Sequence, residues 1–264
     1  ARRLVSMAGV VPWGITALVL LIASEARAVG FAHNENFIVF ARDQSLAETV
    51  LTKAEHLRKE IAEEWFEEEL PSGDGRTLIR VGLSDSEDSG LTWVKDPKDP
   101  KQTLHWVWLT TTRDRVLGSM LAHEMTHAVF ASKFPDRLPP WIEEGIASLN
   151  DDPGRAADRR RILRRYAQQG SWPRVGKMIQ ARRIVATDDA AYCVGPSLVQ
   201  YLLSRGDKAD LIRFAVAAKE KGCDRALRQC YGIGGVQDLQ LAWQAWATQA
   251  TKSYAYATSG RSAH

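Results

Sequence analysis

An α+β fold is what this sequence predicts. Two observations point there. Runs rich in β-branched and aromatic residues crowd into residues 36–110, separated by turn-forming clusters. After residue 113 the apolar residues recur at helical spacing instead of alternating. The expected architecture is a small N-terminal sheet, two helices in the middle of the chain and a mainly helical C-terminal part. A chain of 264 residues, 45% hydrophobic and 25% charged, is long enough to bury a sizeable core. That composition excludes collagen, coiled coil, low-complexity disorder and a polytopic membrane protein.

Residues 1–28 are read as a secretory signal. Arg2 and Arg3 open the segment, Val10 to Ala23 are largely apolar, and Ala26-Arg27-Ala28 form a small-x-small exit. The apolar run is shorter than the roughly 20 residues of a membrane helix. The expectation is therefore a secreted or periplasmic protein with no stable membrane span once the signal is cleaved; an uncleaved anchor is the alternative. The formal charge of +3 becomes +1 when three arginines and one glutamate leave with the signal, so charge gives no reason to expect a nucleic-acid partner. Export bears on the three cysteines. Cys223 and Cys230 are close enough in sequence to pair, with Cys193 left over; three free thiols are the other reading.

The mature chain, residues 29–250, reads as one domain ahead of a flexible tail at 251–264. Its α/β part spans 29–112. Asn36 to Phe40 is a first strand. Ser45-Leu46-Ala47-Glu48 fits a capping box for a long amphipathic helix reaching about Leu70, whose acidic end is a solvated face. PSGDG at 71–75 is a turn, and Leu78 to Val81 a second strand. Residues 84–101 read as a surface loop, and Thr103 to Thr110 as a third strand. In 113–153, Asp114 caps a helix through Met120, His123, His127 and Phe130. A Pro-Pro link follows, then a second helix from near Ile142 that is closed by Asp152-Pro153-Gly154. The helical part, 154–250, opens with a basic helix carrying Arg159, Arg160, Arg161, Arg164 and Arg165, read as a solvated face. Its last helix places Leu239, Leu241, Trp243 and Trp246 in an amphipathic pattern.

His123-Glu124-Met125-Thr126-His127 carries the chemistry. Residues four apart share one helix face, so both imidazoles can meet one Zn²⁺. Glu124 lies about 100° round the helix from His123, where it can take a proton from a water without ligating the metal. The flanks Leu117 to Ala122 and Ala128 to Phe130 carry no charge, as a buried active-site helix requires and a solvated accidental match does not. A third ligand is needed. Trp141-Ile142-Glu143-Glu144-Gly145-Ile146-Ala147 offers one, after a gap long enough to turn the chain and bring a second helix alongside.

HExxH followed by W-x-x-E-G-x-A resembles the gluzincin zinc metallopeptidases, and the chain looks like a small secreted bacterial domain of that type. The resemblance implies a zincin-like fold around an active-site helix. It implies zinc held by His123, His127 and Glu144, the Glu directly before Gly, with Glu143 as the alternative. It implies a metal-activated water, Glu124 as its base, and hydrolysis of a peptide or protein substrate. Ser148 stands where thermolysin-like enzymes carry an Asp that orients a histidine, so that partner is not identified. The run Tyr192-x-x-Gly195-x-x-x-Val199-x-Tyr201-Leu202 resembles the post-catalytic helix of such domains. It makes Tyr192 the candidate oxyanion donor, with a packing aromatic as the other reading and Tyr166 and Tyr201 as weaker rivals. The resemblance also implies that the strand around His105 to Leu109 forms the cleft edge, although its two Trp residues, which share one face, read rather as core and His105 as an ordinary surface or core histidine. The competing function is a non-catalytic zinc-binding or partner-binding module that keeps the fold.

Overall fold

A computed structural model describes residues 29–72, 77–95, 104–135, 138–181, 184 and 189–259. The signal segment 1–28 and the last five residues of the expected tail lie outside them. The chain is mixed α+β. Five strands form one sheet: β1 (Gly30–His33), β2 (Phe37–Ala41), β3 (Thr77–Leu83), β4 (Ser89–Lys95) and β5 (Leu104–Thr111). Their order is β1-β2-β3-β5-β4, parallel in the middle and antiparallel at both edges.

The long helix α1 (Gln44–Phe66) links β2 to β3 and lies along the sheet. Its cap is Asp43, whose side chain accepts from the Leu46 N–H at 2.8 Å, rather than the expected Ser45. It ends at Phe66, four residues before the expected Leu70, because Glu67 turns into the left-handed region at φ 56°. Leu46, Val50, Ala54, Leu57, Ile61 and Trp65 form its buried stripe. Val39, Ile79, Val107 and Leu109 face it from the sheet, as strand periodicity dictates. The acidic end is exposed and partly ion-paired: Glu64 meets Lys208 and Glu68 meets Lys133.

Two strands escaped the sequence reading. β1 is only four residues long and is held by its pairing to β2. β4 lies inside the segment expected to be a loop; its Asp, Ser and Gly content masks a strand stabilised by β5. As a result the third expected strand, β5, is interior. Its two Trp residues are not core: Trp106 is half-buried, Trp108 is 36% exposed, and both meet Trp93 of β4 on the face opposite α1. His105, Val107 and Leu109 take the buried face.

Beyond the sheet, α2 (Arg113–Val116) has Thr112 at its N-cap position, with no side-chain capping bond, and Asp114 lies in its first turn, so Asp114 is not the cap of the helix that follows. That helix, α3 (Ser119–Lys133), starts at Gly118. Next come α4 (Pro140–Ala147), a 3₁₀ turn over Ser148–Asn150, and α5 (Pro153–Gln169). The helical part is completed by α6 (Val175–Ile179), α7 (Asp189–Leu203), α8 (Lys208–Lys221), α9 (Cys223–Tyr231) and α10 (Val236–Ser259). Helix α10 runs past residue 251, where the sequence reading began a tail. Leu239 and Trp243 are buried as expected, whereas Leu241 is 66% exposed. Cys223 and Cys230 both sit on α9, two turns apart. That separation, about 10 Å along the axis, is too long for a disulfide, and all three thiols are free. One hydrophobic core runs from the sheet through α3 and α4 into the C-terminal helices.

Candidate metal centre

Helix α3 is buried on most of its surface, which is why its sequence is apolar on both sides of the two histidines. Met120, Leu121, Met125, Ala128, Val129 and Phe130 are all closed off from solvent. His123 and His127 are one turn apart, with ring centroids 5.1 Å apart. Helix α4 starts from the Pro139-Pro140 link and is buried from Trp141 to Ala147. It delivers Glu144 to the pair. Glu144 Oε1 lies 3.6 Å from His123 Nε2, and Oε2 lies 3.6 Å from His127 Nε2. One ligand atom from each of the three residues falls within 4.8 Å of the others. Glu143 lines the cleft but is not among the three converging residues; its Oε1 accepts from the Leu138 N–H at 3.3 Å, which closes the link before α4.

The residues fit a cation. Glu144 Oε1 is buried without a hydrogen-bond partner although it faces an imidazole nitrogen, a state that a bound metal relieves. The donor set is two imidazoles and one carboxylate. Four-coordinate sites with bonds of about 2.0–2.1 Å place donors about 3.4 Å apart, near the separations seen here.

Three more residues, not singled out in the sequence for this role, complete the surroundings. Asp151, just after the 3₁₀ turn, places Oδ1 3.0 Å from His123 Nδ1, so an Nδ1–H donated to it leaves Nε2 free for a metal. Arg159 in turn holds Asp151 through Oδ2 and donates to the Ser148 carbonyl at 3.1 Å. The expected solvated face of α5 is therefore broken at Arg159, which faces inward to a buried acid. Arg155 of the same helix donates to Asp88 at 2.8 Å. Ser148 does not take the orienting role; Asp151, three residues later, does. The third newcomer is Thr92 of β4, whose hydroxyl donates to Glu124 Oε2 at 2.6 Å.

Electrostatics follow from this crowding. Burial depresses the His123 imidazolium, but the Asp151 hydrogen bond and the charges of Glu144, Glu124 and Asp151 outweigh it and raise its pKa. Burial pushes Glu144 up, and the two histidines more than reverse this, leaving it below the ordinary carboxylate value. Asp151 is lowered in the same way: burial raises it, and His123 and Arg159 overcome the effect. Tyr192, on α7, lines the cleft with His123, Glu124, His127 and Glu144. Its hydroxyl is pushed up to about 12, first by burial and then by the charges of Glu144 and Glu124, so it stays protonated and able to donate. Of its rivals, Tyr201 is buried against Trp246 and Tyr166 packs against Trp172.

The cleft holds about 1200 Å³. Residues Ser89 to Trp93 of β4 form one wall, so the cleft edge is β4 and not the strand around His105 that was expected there. The reason is topological: β4 pairs with β5 and takes the outer position next to α3. Among the described residues no helix is long and apolar enough to cross a membrane. No protein-family model matches the chain, and no curated protein matches its sequence.

Proposed function

We propose that this chain is a zinc-dependent metallopeptidase that hydrolyses a peptide or protein substrate outside the cytoplasm, on a zincin-like fold of the gluzincin type. The observation that carries the reading is the convergence of His123, His127 and Glu144, with Glu124 and Tyr192 lining the same cleft. Two nitrogens and one carboxylate oxygen form a donor set that suits catalytic zinc. A Zn²⁺ held by His123, His127 and Glu144 would supply Lewis acidity.

The chain's own groups do the rest. Glu124 is beside the metal ligands but does not converge with them, so its carboxylate is available to take a proton from the attacking water and return it to the leaving amine. Tyr192, held protonated, donates to the oxygen that becomes negative as the carbonyl is attacked. Asp151 and Arg159 fix the His123 ring. The β4 edge offers main-chain groups to an extended peptide. No nucleic-acid partner is part of this reading.

The test is a matched pair of variants. Glu124→Gln retains one zinc per chain by elemental analysis and loses peptide hydrolysis by at least about a thousandfold. His123→Ala loses the zinc. Hydrolysis unchanged in the first variant, or metal content unchanged in the second, overturns the assignment.

A further inference from the structure

The edge strand does more than wall the cleft. The β4–β5 register sets Gly90 opposite Leu109 and Thr92 opposite Val107, and both partners are buried. Gly90 and Thr92 therefore point to the α3 side of the sheet, while Leu91 and Trp93 point away. At position 92 the inward group is a hydroxyl. It donates to Glu124 Oε2 at 2.6 Å and lies 3.3 Å from the Glu124 carbonyl. At position 90 there is no side chain, and adding one would displace the ends of the Glu124 and Met120 side chains. A Cβ there would overlap Glu124 Oε1 and come within 2.7 Å of Met120 Sδ. One oxygen of the carboxylate is thus held by Thr92 while the other occupies the space left by Gly90. Nothing in the assignment of the metal ligands requires this arrangement.

We propose that Thr92 is a positioning residue for Glu124, and that Gly90 is the gap through which β4 comes close enough for the hydroxyl to reach. A glutamate side chain has three rotatable bonds and samples several rotamers when unheld. A short hydrogen bond to an ionised carboxylate selects one of them. The edge that receives substrate and the base that acts on it are then fixed in one register, so a displacement of β4 displaces the carboxylate as well. The catalytic role of Glu124 here rests on the metallopeptidase reading; the contact between strand and carboxylate does not.

The experiment uses Thr92→Val, which keeps the shape and removes the hydroxyl, and Thr92→Ser, which restores it. In the zinc-loaded protein Thr92→Val is expected to lower kcat about tenfold to a hundredfold, leaving KM and zinc stoichiometry within about twofold. Thr92→Ser is expected to recover kcat to within about threefold. A second readout needs no metal. In thermal unfolding of the metal-free protein, Thr92→Val lowers Tm in the wild-type background by about 3 °C or more and has no such effect in a Glu124→Ala background. An equal Tm loss in both backgrounds, or a kcat unchanged in Thr92→Val, overturns the proposal. If the wild-type protein cleaves no peptide, the metallopeptidase reading falls, and the melting comparison alone decides whether Thr92 holds Glu124.

Discussion

Asp151 is separated from His123 by 28 positions in the chain yet governs which nitrogen of that ring faces Glu144. Its carboxylate takes the Nδ1 side, and Arg159 holds the carboxylate from behind. Removing its charge while keeping its shape, in Asp151→Asn, should weaken zinc affinity about tenfold to a hundredfold in a chelator competition. Glu143→Gln should leave that affinity unchanged, because Glu143 accepts from the Leu138 N–H and is not one of the three converging residues. If the two variants show the reverse pattern, the ligand is Glu143 and the assignment of Asp151 falls. The histidine pair was legible in the sequence because its constraint is local: four residues along a helix decide that His123 and His127 share a face, whereas Glu144 was singled out through the resemblance. Asp151 was not legible. The 3₁₀ turn at Ser148–Asn150 swings it back onto α3, and in sequence Asp151-Asp152-Pro153 reads only as the end of a helix.

At the scale of elements, the position of Glu144 depends on how closely α4 lies on α7. Gly145 makes that approach possible. A Cβ there would overlap Val199 Cγ2 and come within 3.0 Å of the Gly195 carbonyl oxygen. A Cβ added at Gly195 would likewise come within 3.3 Å of the Trp141 carbonyl oxygen. The Gly that follows Glu144 is thus a packing requirement. Gly145→Ala should push α4 outward by a fraction of an ångström and carry the neighbouring carboxylate with it. The expected result is a destabilisation of about 1–3 kcal/mol in chemical unfolding together with zinc affinity reduced at least tenfold. Normal affinity in a destabilised protein would show that α4 can shift without moving Glu144. Elements with a strong repeating pattern, such as α1 and α3, could be read from the sequence to within a few residues. β4 could not. Its Ser89, Gly90 and Thr92 look like loop residues, yet Gly90 and Thr92 face Glu124, and its strand geometry comes from pairing with β5. With β4 masked in this way, β5, whose aromatic content is the stronger strand signal, stands in the sequence where the resemblance puts the cleft edge.

The whole molecule is joined across this site. Helix α3 belongs to the layer on the sheet and α4 packs on α7 of the helical part, so a cation held by His123, His127 and Glu144 would tie the two together. Without it, a buried carboxylate oxygen has no partner, so the metal should contribute to folding stability as well as to chemistry. Free zinc at about 100 times its dissociation constant stabilises a folded protein by about 2.7 kcal/mol. For a chain of this length each kcal/mol corresponds to about 2–4 °C, so chelation should lower Tm by about 5–10 °C. Glu124→Gln should show the same drop, since Glu124 is not among the converging ligands, and His127→Ala should show none because it begins without the metal. Calorimetry with and without a chelator distinguishes these cases. A wild-type Tm indifferent to the chelator, or a His127→Ala protein that still responds to it, would mean that the three residues do not hold a metal that bridges the two parts of the fold.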